Sequence, residues 1–186
     1  ARLLIIERER VPSLQLPANV HVMHVQSTRK ALGRIAHAYR QSLRGTKVVA
    51  VTGSSGKTTT KGLIHGILSA NMSGSASPKS FNNDIGVPLT LLAAKSSDKY
   101  VVVEIGTNAP GEIADLAEIA QPDIAVITMI GRSHLQGLGS IEGVAREKAS
   151  LLAALSREDG VAVVNADCPL LPHPKRVKMT ILFGES

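Results

Sequence analysis

Val48-Val49-Ala50-Val51-Thr52-Gly53-Ser54-Ser55-Gly56-Lys57-Thr58-Thr59-Thr60 is the stretch that decides how this chain folds. Its first four residues form a short apolar, β-branched run, which predicts a buried strand. The residues after it, Lys61 to Leu68, place Leu63, Ile64, Ile67 and Leu68 at helical spacing. Between the two lies a turn of small residues. Such a turn aims several backbone N–H groups at one point, where the positive end of a helix also favours an anion. Gly53 and Gly56 allow close backbone approach, with Ser54, Ser55 and Thr59 completing the cradle. Lys57 supplies a mobile cation, and Thr58 offers a hydroxyl to a phosphate-bound magnesium. The stretch is a phosphate-binding loop with one departure: the first glycine of the full pattern falls at position 51, which is Val51. The competing interpretation, an ordinary Gly/Ser turn capping a helix, does not explain why strand, Gly-Lys-Thr and helix occur together.

Outward from this loop, strand-like and helix-like segments alternate. The patterns predict strands at 47–52, 100–105, 124–130, 161–165 and 177–183. Helices are expected at 57–69, 84–94, 111–120 and 141–155. This is the signature of βαβ units, so the fold class is α/β: a parallel sheet with flanking helices. Only 2% of residues are aromatic, so Val, Ile, Leu and Ala must fill the core, as suits a sheet buried on both faces. A helix is predicted over Ser27 to Leu43, behind a Ser27/Thr28 cap and closed by Gly45. Residues 1–26 contain a strand-like Leu3-Leu4-Ile5-Ile6 but are broken by Pro12 and Pro17 and cannot bury a core alone. Residues 71–81 read as one long loop.

The composition limits the function. With 44% apolar and 19% charged residues, the chain is globular rather than disordered. No run of about eighteen uncharged apolar residues is present, so no spanning helix is expected. The single cysteine, Cys168, precludes an internal disulfide and favours a reducing, cytoplasmic setting. A net charge of +6 raises nucleic acid as a partner. The basic residues are scattered and few aromatics could stack on bases, so a polyphosphate substrate accounts for the charge as well.

Ligands of such sheets bind beyond the carboxyl ends of the strands, and three further residues fall there. Glu104 ends an apolar strand, where a carboxylate needs a cation or hydrogen-bond donors unless it reaches solvent. His134 follows the strand at 124–130 and is either a metal ligand or an exposed side chain, with Arg132 an alternative phosphate contact. Lys148 sits in Arg146-Glu147-Lys148, which spacing alone reads as a solvated helix face. Asn82-Asn83-Asp84 precedes a helix, with Asp84 a suitable N-cap.

Together these blocks resemble the Mur ligases, ATP-dependent amide-bond-forming enzymes of peptidoglycan precursor synthesis. That family's loop also lacks the earlier glycine. Ser80 to Thr90, Val103 to Ile113 and Ile130 to Ser140 are similar to the branch that adds D-alanyl-D-alanine to UDP-N-acetylmuramoyl-tripeptide. The resemblance implies that Lys57 contacts ATP phosphates, Thr58 binds Mg2+, and Glu104 and His134 hold a second Mg2+. It further implies that Lys148 is carbamoylated and positions magnesium, that Asn82 and Asn83 lie near the nucleotide, and that Asn165 occupies a recurrent family position. It divides the chain into the tail of a UDP-sugar-binding domain (1–26), an interdomain helix and linker (27–45) and the first part of an ATP-binding domain (46–186), a fragment without its C-terminal domain. The expected partners are UDP-MurNAc-tripeptide and D-Ala-D-Ala, with no nucleic acid, acting on a cytoplasmic monomer. The rivals are a sibling ligase, such as another amino-acid-adding Mur enzyme or folylpolyglutamate synthase, and a non-catalytic nucleotide-binding module.

Overall fold

Val49 and Val51 face one side of a sheet and Val48 and Ala50 the other, and all four are buried. That double burial is why this strand is continuously apolar instead of alternating. The computed structural model describes residues 2–9, 19–155, 158–172, 174 and 177–185. Pro12, Pro17, Lys175 and Arg176 lie outside them.

The elements run β1 (Leu3–Glu7), β2 (His21–Val25), α1 (Thr28–Ser42), β3 (Lys47–Thr52), α2 (Lys57–Ser69), β4 (Gly74–Ala76) and α3 (Gly86–Ala93). They continue as β5 (Tyr100–Glu104), α4 (Glu112–Ala120), β6 (Ile124–Ile127), α5 (Leu135–Leu138), α6 (Ile141–Ala153), β7 (Val161–Asn165) and β8 (Met179–Phe183). A six-stranded sheet of order β4-β5-β3-β6-β7-β8 has every neighbouring pair parallel. On one face, α1, α3, α4 and α6 enclose the larger core, which includes Val48, Ala50, Val101, Val103, Ile113 and Leu151. On the other, α2 packs over β3, β4 and β5 through Ile64 and Leu68. The α/β parallel-sheet expectation is borne out.

Strand β3 has β5 on one side and β6 on the other, so the chain reverses direction across the sheet at β3. The turn after β3 therefore opens into the crevice where such sheets take ligands. Residues Leu3–Glu7 and His21–Val25 form a separate two-stranded parallel sheet. It is tied to α1 by Glu7, whose Oε1 accepts from Thr28 N and Thr28 Oγ1, each at 3.0 Å. The cap of α1 is as expected: Ser27 Oγ accepts from Lys30 N at 3.3 Å.

Four expectations about local structure need correction. The 71–81 segment is not all loop, because Gly74–Ala76 adds an edge strand beside Tyr100–Val102. Its Gly-Ser-Ala sequence carries no strand propensity, and pairing alone recruits it. The strand beginning at Ile124 ends at Ile127 rather than 130, because Thr128 to Gly131 turn away to wall the glycine loop. Residues Leu135–Leu138 form a short helix within a segment read as a connection. Finally, Asp84 does not cap α3. Asn83 Oδ1 accepts from Gly86 N at 2.9 Å and Ile85 N at 3.2 Å, while Asp84 pairs with exposed Arg29 at 2.6 Å.

Candidate phosphate and metal site

The turn Gly53–Gly56 leads directly into α2. Gly56 is the residue before the helix and has φ +80°, a left-handed conformation that disfavours any side chain. Gly53 lies against Thr128, whose hydroxyl occupies the space a Cβ would need. Thr128 Oγ1 donates to Ser55 O at 2.6 Å and approaches Thr52 O at 3.2 Å. Thr128 N donates to Thr52 O, and Ser54 N to Met129 O. Ser54 Oγ accepts from Gly131 N at 2.9 Å and from Ser133 Oγ at 2.9 Å. The loop is thus built against the segment following β6. The first bond of the helical ladder runs from Thr60 N to Gly56 O, so the amides ahead of it have no helical acceptor and are available to an anion. Lys57 Nζ folds back onto Gly53 O at 2.9 Å.

Glu104 ends β5 in register with Val51 on the neighbouring strand, which brings its carboxylate to the first turn of α2. It is 1% exposed, so the solvated alternative does not hold. Thr58 Oγ1 donates to its Oε2 at 2.9 Å and Asn82 Nδ2 to its Oε1 at 3.0 Å. Lys61 Nζ stands 3.3 Å from Oε2 and also donates to Lys79 O. The lysine is a site residue the sequence analysis missed. The available signal was spacing: Lys57, Thr58 and Lys61 share a helix face, and an acid in an apolar strand requires a cation.

Thr58 gives its only hydroxyl proton to Glu104 and keeps both oxygen lone pairs. A hydroxyl and a carboxylate beside phosphate-oriented amides form the hard oxygen donor set that suits Mg2+. Among the described residues there is no cluster of three or more His, Cys, Asp and Glu side chains. Thr58 and Glu104 thus fit a magnesium whose remaining ligands come from phosphate and water.

Lys148 is 1% exposed, and its ammonium makes no hydrogen bond or ion pair among the described residues. Burial, reinforced by the charge of Lys57 and opposed by that of Glu147, lowers its pKa to about 8. Neither Lys148 nor Glu147 is on a solvated face; only Arg146 of the three is exposed. Glu147 Oε2 accepts from Gly111 N at 2.8 Å and Oε1 from Ile113 N at 2.9 Å, so α6 caps the start of α4. The signal for this burial was in the spacing, since Lys148 lies four residues after Val144 and three before Leu151, both fully buried.

His134 is exposed, has φ +54° and precedes α5. Its ring makes no hydrogen bond among the described residues, and its influence falls on Glu112. Hydrogen bonds from Asn108 N and then Ala109 N chiefly hold that carboxyl below its usual range, with His134 contributing last. Arg132 is exposed. Asn83 spends its carbonyl on capping α3, and Asn165 Nδ2 donates to Thr128 O at 3.0 Å, locking the ends of β6 and β7 together. The structure therefore brings Thr58, Glu104 and Asn82 into direct contact and Lys57 within electrostatic reach of Lys148. His134 remains apart from that hydrogen-bonded group.

Fold and site together define an α/β protein of the P-loop type, with an acid and a buried lysine at the carboxyl edge of its sheet. The Mur ligase middle domain matches residues 51–185. The UDP-N-acetylmuramoyl-tripeptide–D-alanyl-D-alanine ligase of Bacillus subtilis (strain 168) is 48% identical over 157 residues, covering 84% of this chain and 34% of that protein. Its namesake in Escherichia coli (strain K12) is 41% identical over 143 residues, covering 77% of this chain and 31% of that one. The crystal structure of MurF ligase from Thermotoga maritima in complex with ADP superposes with a TM-score of 0.86 at 31% identity, covering 99% of this chain and 42% of that one. The chain belongs to the Mur ligase family. It spans about a third of the length of these curated relatives. Among the described residues, no helix is long and apolar enough to cross a membrane.

Proposed function

We propose that this chain carries the ATP-binding part of a ligase that joins D-alanyl-D-alanine to UDP-MurNAc-tripeptide in peptidoglycan precursor synthesis, acting as a cytoplasmic monomer. In this reading residues 1–26 belong to a UDP-sugar-binding domain, 27–45 connect the domains and 46–186 begin the ATP-binding domain. The observation that carries it is the Thr58–Glu104 hydrogen bond at the mouth of the glycine turn. It places a hydroxyl with free lone pairs and a carboxylate beside uncommitted helix N-terminal amides. The namesake relatives and the ADP complex of the Thermotoga protein support the same reading.

The chemistry is an acyl transfer through phosphate. The terminal carboxylate of the tripeptide attacks the γ-phosphorus of ATP, forming a carboxyl–phosphate bond and releasing ADP. The amine of the dipeptide then attacks the acyl carbon. The tetrahedral intermediate expels inorganic phosphate, and the nitrogen loses a proton as the amide forms. Both partners in the first step are anionic, so the protein's task is charge neutralisation and alignment. Magnesium, when bound, screens phosphate charge. Lys57 swings from Gly53 O to the β- and γ-phosphates, and the amides of the turn and of the start of α2 hold the phosphate oxygens.

Thr58 would offer its hydroxyl oxygen to magnesium, Glu104 and His134 would hold a second ion, and Asn82 and Asn83 would line the nucleotide side. Burial lowers the Lys148 pKa to about 8, which favours loss of a proton to give the free amine; that amine would add CO2 and release a second proton as the carbamate forms. The carbamate so formed is a carboxylate-like group that suits a site already holding Lys57. The experiment that tests the proposal is phosphate release by the full-length protein. Release should require ATP, muropeptide and D-Ala-D-Ala together; release with ATP alone, or none with all three, would reject it.

A further inference from the structure

Lys61 is buried with its side chain 6% exposed, and it faces a carboxylate that is 1% exposed. The other lysine of this helix, Lys57, instead bonds its own loop at Gly53 O. Lys61 Nζ lies 3.3 Å from Glu104 Oε2, the same oxygen that accepts from Thr58, and it also donates to Lys79 O. Its charge therefore sits within one contact of the place where Thr58 and Glu104 converge. The same ammonium ties α2 to the 77–83 segment, from which Asn82 reaches the other carboxylate oxygen.

We infer that Lys61 is a resident counter-cation for Glu104, a positioning residue that neutralises the carboxylate in the empty protein and sets how tightly a divalent ion is then held. The inference rests on the reading that a divalent ion binds beside Thr58 and Glu104. An unpaired carboxylate at this depth would be costly. With Lys61 present, Glu104 has a buried cationic partner and stays aimed at Thr58, so the hydroxyl keeps its lone pairs turned outward. An arriving divalent cation shares an already neutralised carboxylate and feels the ammonium's repulsion. Affinity for the ion is thereby lowered, so that the ion comes and goes with the nucleotide instead of remaining as a fixture.

Mn2+ binding to the full-length protein loaded with ADP, followed by loss of the free-ion EPR signal, separates this role from simple packing. Lys61→Met should bind Mn2+ about tenfold more tightly than the parent, since the carboxylate loses its competing cation. Lys61→Arg keeps the charge and should stay within about twofold of the parent. If Lys61→Met does not fold, Lys61→Gln removes the charge while retaining a donor and should show the same tightening. A charge-removing variant that folds with unchanged or weaker Mn2+ affinity overturns the inference, even if its melting temperature falls. Absence of Mn2+ binding by the parent itself would instead reject the metal reading, and this inference with it.

Discussion

Thr58 and Glu104 are 46 residues apart in sequence, yet their side chains meet at 2.9 Å because β3 and β5 are parallel neighbours in register at Val51 and Glu104. One residue opens the helix after the glycine turn and the other ends the adjacent strand. Their contact sets a hydroxyl and a buried carboxylate beside the glycine turn.

Lys57→Ala in the full-length protein should lower kcat/KM for ligation by a factor corresponding to about 3–4 kcal/mol, the scale seen when a preorganised electrostatic group is lost. Steady-state phosphate release measures it. Near-normal turnover would remove Lys57 from the site.

Glu104→Gln leaves the Lys61 ammonium buried without its charge partner. Denaturant unfolding should show a loss of about 3–5 kcal/mol, typical of breaking one side of a buried pair. The double replacement Glu104→Gln with Lys61→Met should be less destabilised than the sum of the singles. Strict additivity would mean that the pair does not interact.

Glu147→Ala strips acceptors from Gly111 N and Ile113 N at the start of α4. Gly111 is exposed and its N–H can turn to water, but the buried Ile113 N is abandoned at a cost of about 1–3 kcal/mol, so a comparable fall in unfolding free energy is expected. Amide exchange should accelerate first at 111–113. Uniform acceleration across the sheet would argue against a local cap.

Lys148 gives a pH dependence with a definite sign. Its folded pKa is about 8 against 10.5 unfolded, so between those values the unfolded chain binds more protons than the native one. Stability attributable to this residue therefore rises as pH increases from about 8 towards 10.5, and its burial penalty is fully present below 8. Lys148→Met should be stabilising at pH 7 relative to the parent, with the difference shrinking by pH 10. Urea unfolding of both proteins at the two pH values tests this. A difference independent of pH would show that Lys148 is not the titrating group.

Thr128→Val should loosen the glycine turn by removing the hydroxyl that donates to Ser55 O. ADP affinity is expected to fall by a factor corresponding to about 1 kcal/mol, the net worth of one such bond. Calorimetric titration reads it, and unchanged affinity would make the brace irrelevant to nucleotide binding.

Much of the architecture was legible in the chain, for particular reasons. The run Val48–Val51 and the run Tyr100–Val103 are apolar on both faces, as only interior parallel strands are, and α1 announces itself through Ser27 and the three- and four-residue spacing behind it. The edge strand Gly74–Ala76 was hidden because small residues pair without advertising it. The end of β6 was misplaced because the apolar run continues past it for other purposes: Met129 walls the glycine turn and Ile130 packs into the larger core. At the site, Glu104 stood out as the lone acid of its strand. Lys61, Glu147 and Thr128 did not, since a lysine on a helix, a glutamate in a charged triplet and a threonine at a strand end are ordinary in sequence.

What the sequence by itself determined is the strand–glycine turn–helix unit and the alternating order of elements. Their causes are local: backbone freedom at Gly53 and Gly56, side-chain periodicity, and the orphan amides of a helix start. Only the tertiary structure decided which charges meet. Strand order and register brought Glu104 beside Thr58 and Lys61, and the packing of α6 turned Lys148 and Glu147 inward. Electrostatic pairing in a buried site depends on distances between segments far apart in the chain, and no local pattern encodes those distances.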